Sequence, residues 1–345
     1  MKKEDVGQQG NGTFLARKDI VFSLQRYGVE ALGAMALGLF SSLIVGLILR
    51  VIGEQLGLDF LVDIGLTASK PELMGAAIGV AVAFGLKSPP FVLFASAITG
   101  ATGALLGGPA GAFVAALIGA EFGKLVSKET KVDLIVTPAV TLIMGITAGN
   151  LIGPGIAWLM REFGSVIMSA TELHPIPMGI LVAVLMGLAL TAPISSAALA
   201  IMMELGGIAA GAATVGCAAQ MVGFAVTSYR DNGPGGLIAQ GLGTSMLQIP
   251  NIIKNPRILV PPTLAAAVLG PMVTTLFPMT NSAIGAGMGT AGLVGQFATV
   301  DVMGIGALPL ILIFHFIMPA SISLLFASMM RRQGWIKAGD MKLDL

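Results

Sequence analysis

The sequence predicts an all-α, polytopic integral membrane protein of about ten transmembrane helices, some of them broken or re-entrant. Three observations predict it. Charge is scarce: of 345 residues, 19 are Lys or Arg and 18 are Asp or Glu, or 11%, under half the roughly 25% of a soluble domain. Mean hydropathy is +0.90, with 55% of residues apolar. Apolar runs recur between charged or Gly/Pro punctuation along the chain. So few charges cannot cover a soluble surface, which excludes a soluble enzyme, and the apolar excess excludes a disordered chain. A net charge of +1 provides no field for a nucleic acid.

A spanning helix needs about 20 mostly apolar residues. The first such run is Glu30–Gly53, EALGAMALGLFSSLIVGLILRVIG. It is followed by Met74–Phe84, Phe91–Leu106, Ala110–Leu125, Leu134–Ile152 and Gly155–Ala170. Then come Met178–Leu190, Ile194–Leu205, Ile208–Val226, Leu259–Leu276 and Met303–Met329. Several are too short to cross alone, so some must be tilted, broken or re-entrant. Residues 30–330 thus form the membrane domain, with a cytoplasmic segment before it and a cytoplasmic tail, 331–345, after it.

The first 29 residues are polar and charged, without the pattern of a cleavable signal peptide. Within them Ala16–Gly28 places Ile20, Val21, Leu24 and Tyr27 at helical spacing. This reads as an amphipathic helix, lying on the membrane surface or extending into the cytoplasm. Lys2, Lys3, Arg17, Lys18 and Arg26 at one end and Arg331, Arg332, Lys337 and Lys342 at the other place both termini in the cytoplasm by the positive-inside rule, with an even number of crossings. The acidic loop Gly53–Glu72 fits the outside, and the lysine-bearing Lys124–Asp133 the inside.

Glycines, 47 in all, recur at four-residue spacing, as in Gly75/Gly79, Gly103/Gly107, Gly119/Gly123, Gly207/Gly211 and Gly285/Gly289. Small residues let helix backbones approach closely where lipid gives no hydrophobic drive. Gly and Pro also break helices, and non-helical backbone at membrane depth must be buried in protein or line a cavity. Three stretches qualify: TELHPIPM at 171–178 followed by TAPISS at 191–196; the interrupted segment 228–255; and TNSAIGAGMGTAGLVGQ at 280–296. The glycines of the third also fit simple packing.

Ionisable groups in apolar surroundings are functional candidates by default. Glu172 and His174 share one short break with two prolines and rank first. Glu121 and Glu204 also fit helix ends, Glu121 beside Lys124, and His315 fits a neutral imidazole bonded to a carbonyl. Arg230 and Asp231, like Lys254 and Arg257, are orientation signals if cytoplasmic; if they line a cavity they favour an anionic ligand. Asn251, Asn281 and Gln296 head a set of uncharged polar groups, with Asn150, Gln220, Gln240 and Gln248, that suit a hydroxylated or zwitterionic solute. Two His and one Cys make no standard zinc site, Cys217 reads as a small core residue, and neither a nucleotide motif nor any other cofactor signature is present.

The stretch SYRDNGPGGLIAQGLGTSMLQIPNIIKNPRILVPPTLAAAVLGP, Ser228–Pro271, with 280–296 and the amino-terminal SLQRYGVEALGAMALGLFSSLIVG, resembles the PfoR-type branch of the phosphotransferase-system membrane subunits IIC. NPRILVPP is similar to the Asn-Pro…Ile-Pro signature of sugar-transporting IIC subunits. The resemblance implies a IIC-like transporter fold in a bacterial cytoplasmic membrane, a homodimer, and an elevator-like motion carrying a solute past re-entrant hairpins. It implies a permease for a sugar or related small polar solute, with a site built from a Glu, a His and the hairpins. The polar groups at the breaks, Glu172, His174, Asn251, Asn281 and Gln296, would bind the solute, with Glu204, Arg230, Asp231 and His315 as secondary candidates. The alternative is a membrane sensor that keeps the fold and signals through a regulatory partner. No phosphorylatable IIA or IIB portion is read in the chain, so it is not itself an enzyme and phosphotransfer would come from separate proteins. Aromatic faces, on which sugar sites normally rely, are few: two Trp and two Tyr.

Overall fold

The structure, a computed structural model, describes residues 14–343; Lys2 and Lys3 lie outside the described residues. Within them the chain is helical and forms no strand beyond an isolated bridge between Gly207 and Asn281. Six helices are long and apolar enough to cross a membrane: α1 (Gln25–Glu54), α4 (Pro90–Val126), α5 (Asp133–Thr171), α8 (Gly207–Thr227), α11 (Pro256–Leu276) and α13 (Ile305–Arg332). Shorter apolar helices are α3 (Pro71–Gly85), α6 (Pro175–Thr191) and α12 (Ala291–Met303). The remaining elements named below are α2 (Asp59–Ala68), α7 (Ser196–Met202), α9 (Tyr229–Ile238) and α10 (Ile249–Lys254). This is the polytopic helical architecture that the composition predicts.

Helix α4 has 37 residues, about 55 Å if straight against a hydrocarbon core of about 30 Å. It folds in two at Gly107–Gly108, where Gly108 takes φ +61° ahead of Pro109, a conformation open chiefly to glycine. A Cβ on Gly103 would overlap the Gly111 carbonyl, and one on Gly123 would come within 2.9 Å of Val92. The halves are therefore antiparallel, as the separate runs Phe91–Leu106 and Ala110–Leu125 imply. The next two runs behave differently. Leu134–Ile152 and Gly155–Ala170 belong to the single 39-residue helix α5, which continues through Pro154. A proline removes one backbone hydrogen bond and can bend a helix without ending it. The stretch Ala16–Gly28 is not one helix either: Phe14–Arg17 makes a single turn and α1 begins at Gln25. Asp19 takes φ +53° between them, and the ion pairs of Lys18 and Arg26 hold the turn.

Two large apolar cores result, with smaller clusters around Phe224 and Ala219. One packs α1, α3 and α4 around Met35, Ile78 and Val82; the other packs α6, α8, α11 and the region from α12 into α13 around Val182, Met221 and Phe314, joined by Ile167 and Ala170 from the end of α5. Close backbone approach holds both together: a Cβ at Gly79 would overlap the Ser96 carbonyl, and one at Gly216 the Ala183 carbonyl. Gly79 thus has the packing role its four-residue spacing predicts.

The faces of the bundle are defined by contacts. Arg26 and Lys124 both donate to the Leu86 carbonyl, Gly28 approaches Ile253, and Asn251 donates to the Lys342 carbonyl. The start of α1, the ends of α3, α4 and α13, and the chain's last described residues share this side, the tail face.

Candidate functional site

Helix α6 does not continue into α8; it ends at Thr191, and α7 returns toward the start of α8. The two long helices run alongside each other, with Gly187 near Gly216 and Gln220, so residues 192–206 must retrace the length they cover together. Segment 277–303 repeats this device: Met279 meets Gly211 near the start of α8, Gly289 meets Cys217 halfway along it, and Gly285 meets Ala298 on the way back. Between these two in the chain, and entering from the tail face, is the second re-entrant hairpin, α9 leading inward to Gly243 and Ser245–Gln248 with α10 leading back; segment 277–303 is the third.

These three hairpins are the broken stretches that the sequence singles out, and their tips meet. Thr191 Oγ1 lies 2.9 Å from Ser245 Oγ, joining the first to the second. Ser196 Oγ donates to the Gly287 carbonyl at 2.6 Å, joining the first to the third. Thr290 Oγ1 donates to the Gly241 carbonyl at 2.5 Å, joining the third to the second. All four hydroxyl residues are buried. Gln220 supports the group from α8: its amide nitrogen donates to Thr263, and its carbonyl oxygen lies 3.4 Å from Thr191 Oγ1.

A small cavity of about 60 Å³ lies at these tips, lined by Ser196, Thr244 and Met288 and by Leu39, Leu43 and Leu47 of α1. It shares Leu43, Leu47, Ser195, Ala197 and Met288 with a larger cavity of about 390 Å³, within the usual range for small-molecule sites. The larger cavity adds Ser282, Phe297, Asp301 and the α1 pair Arg50 and Glu54, whose Nε and Oε1 are 2.7 Å apart. It opens on the side opposite the tail. The volume is apolar along most of its wall and ringed by a cation, two carboxylates and hydroxyls, which suits a small solute with several hydrogen-bonding groups.

The predicted site residues divide. Asn281 is buried at the base of the third hairpin, donating to Thr214, the Gly295 carbonyl and Thr299 and accepting from the Ser282 amide. Gln296 sits on the returning arm of that hairpin; its Nε2 donates to the Gly289 carbonyl and lies 2.9 Å from His315 Nδ1. Among the described residues nothing donates to its buried Oε1. His315 is bonded to this amide rather than to the backbone carbonyl expected of it. Asn251 is also buried, but it bonds to Gln248 and the tail carbonyl of Lys342.

Glu172 and His174 are exposed at the connection from α5 to α6, apart from the hairpin tips. Glu204 is exposed after α7, with φ +50°. Arg230 and Asp231 open α9 on the tail face, where Asp231 accepts from the Gly339 amide. Trp158 is exposed on α5, leaving Phe297 as the ring in the cavity wall. Sequence reasoning does not single out Arg50 and Glu54; their signal is an i,i+4 ion pair at the end of the first span.

A family model described as Phosphotransferase system, EIIC matches residues 29–343. No curated protein and no solved structure matches the chain.

Proposed function

From the premise that the chain belongs to the Phosphotransferase system, EIIC family, and is thus a membrane permease-type component of that system, we propose that it binds and translocates a small polar solute, a sugar or related compound, at the junction of its three hairpins. The single observation that carries this reading is the pairwise bonding of the three tips beside a cavity open to one face. Helical hairpins that end at mid-depth present polar backbone and hydroxyl groups there, the arrangement transporters use for substrates. Solute enters past Arg50, Glu54 and Asp301 and exchanges hydrogen bonds with the tips. Asn281 and Gln296 brace the third hairpin. Release toward the other face requires the tip contacts to part.

In this reading the tail face is cytoplasmic, the protein works as a homodimer, and separate phosphotransferase proteins supply any phosphoryl group. The PfoR-type branch belongs to the same proposal, on the strength of residues 228–271 and 280–296. Glu172 and His174 are assigned to the outer rim. A proteoliposome counterflow assay tests the function: solute-dependent counterflow supports it, and binding without counterflow overturns it.

One observation favours a second reading, a sensor. Residues 335–343 fold back on the second hairpin. Asn232 and Gln248 donate to the Met341 carbonyl, and Ile336 and Met341 are buried. Motion of that hairpin would reach the tail and a partner there.

A further inference from the structure

A cavity larger than the one at the hairpin tips lies away from them. It is a groove of about 780 Å³ on the tail side, between the end of α8, α9 and the last turns of α13. Its walls change character along their length. At one end, beside Val226 at the close of α8, stand Arg230, Arg331 and Arg332; Leu237 and Leu324, each about two turns further along its helix, line the other. Ser328 lies between them, and among the described residues no acidic side chain lines the groove. Among the described residues none of the three arginines forms a salt bridge. Arg331 is held in place by donating from Nη2 to the Thr227 carbonyl. Among the described residues the charge therefore lacks a counter-ion, and one guanidinium is already fixed at the edge of the groove.

From Ser321 to Arg332 the groove follows α13 for about 16 Å at 1.5 Å per residue, one leaflet of a bilayer whose hydrocarbon core is about 30 Å thick. A ligand that fills it must be anionic at the end near the membrane surface and apolar for a leaflet's depth below. We propose that this groove binds one anionic glycerophospholipid, its phosphate at Arg230, Arg331 and Arg332 and an acyl chain along Leu237, Leu324 and Leu325. Basic pockets between membrane helices recognise such headgroups. A free phosphate would leave the leucine-lined length unoccupied, and a zwitterionic lipid would bring a further cation among the three arginines. Because α9 is the inward arm of the second hairpin, a lipid here also braces the hairpin that contacts Thr191 and Thr290.

The test uses the full chain purified in detergent and titrated with phosphatidylglycerol, phosphatidylcholine or inorganic phosphate while the melting temperature is followed. Phosphatidylglycerol should raise it saturably, and the other two should not. The double variant Arg230→Gln with Arg332→Gln, which leaves the anchored Arg331 in place, should weaken the phosphatidylglycerol effect about tenfold or more. A photoactivatable acyl-chain analogue of phosphatidylglycerol, used on the unmodified chain, should label Leu237, Leu324 or Leu325. Equal stabilisation by phosphatidylcholine or by phosphate alone, an unchanged response of the double variant, or labelling confined to other surfaces would overturn the assignment.

Discussion

Both halves of the molecule bury polar groups, and they bury different kinds. The first core ends on the tail face in charges: Lys124 Nζ donates to the Asp19 and Leu86 carbonyls and sits 3.4 Å from Glu121, while Arg26 reaches Asp19, Glu30 and Leu86. The hairpin junction of the second half is held by hydroxyls and amides and contains no charge at the tips. A buried ion pair that loses one partner is destabilised by about 3–5 kcal/mol, whereas a neutral hydrogen bond contributes a net of about 0.5–1.5 kcal/mol. The first arrangement fixes a single geometry; the second can exchange partners at low cost. In the proposed transport cycle the α1–α5 region is accordingly the frame, and the hairpins are the parts that would move.

Four experiments would break or sharpen this contrast. The largest effect is expected from Lys124→Met, which leaves the Glu121 carboxylate and the Asp19 carbonyl without their cation, while the Leu86 carbonyl keeps Arg26. Thermal unfolding should show a loss of about 3–5 kcal/mol with solute selectivity unchanged; a mild loss would make the charged anchor dispensable. Next is Gly216→Val in α8, where the new side chain overlaps the Ala183 carbonyl. Overpacking there should remove about 1–3 kcal/mol, and an unaltered melting temperature would mean that α6 and α8 separate easily.

Third, Thr290→Val and Ser196→Ala should each lower stability by only about 0.5–1.5 kcal/mol yet alter counterflow strongly. A change in stability without a change in counterflow would remove the tips from the transport path.

The smallest effect concerns the surface pair Lys18 and Glu129, 2.5 Å apart. The Lys18 ammonium, by hydrogen bonding to Glu129, holds its carboxyl below the usual glutamate value. The stabilisation is therefore present above that ordinary value and fades as pH falls through the lower folded one. Glu129→Gln should flatten this slight acid dependence of the melting temperature; an unchanged slope would show that the pair contributes nothing.

Much of this was legible in sequence, and particular residues show why the rest was not. Breaks at 191–196, 228–255 and 280–296 announce themselves because Gly and Pro sit among polar residues in otherwise apolar runs. Their meeting is invisible, because Thr191–Ser245, Ser196–Gly287 and Thr290–Gly241 are contacts across 54, 91 and 49 positions. Glu121 and Lys124 are one helical turn apart, so their pairing was readable from spacing alone. Pro154 misleads: the same residue that marks a break elsewhere lies inside a continuous helix. Glu172 and His174 had the strongest polar signal, yet a chain cannot report whether a turn faces inward, and this one is exposed. Asn251, read as a solute ligand, bonds instead to a carbonyl of the tail, a segment whose composition resembles any cytoplasmic end.

The most direct measurement is reversible cross-linking of the tips. Thr191 Oγ1 and Ser245 Oγ are 2.9 Å apart, and the chain's Cys217 is free and buried, so Thr191→Cys with Ser245→Cys places a thiol pair where the first and second hairpins touch. In proteoliposomes, oxidation should abolish counterflow and a reductant should restore it. Counterflow that continues undiminished in the fully oxidised protein would contradict a transport cycle in which the hairpin tips part.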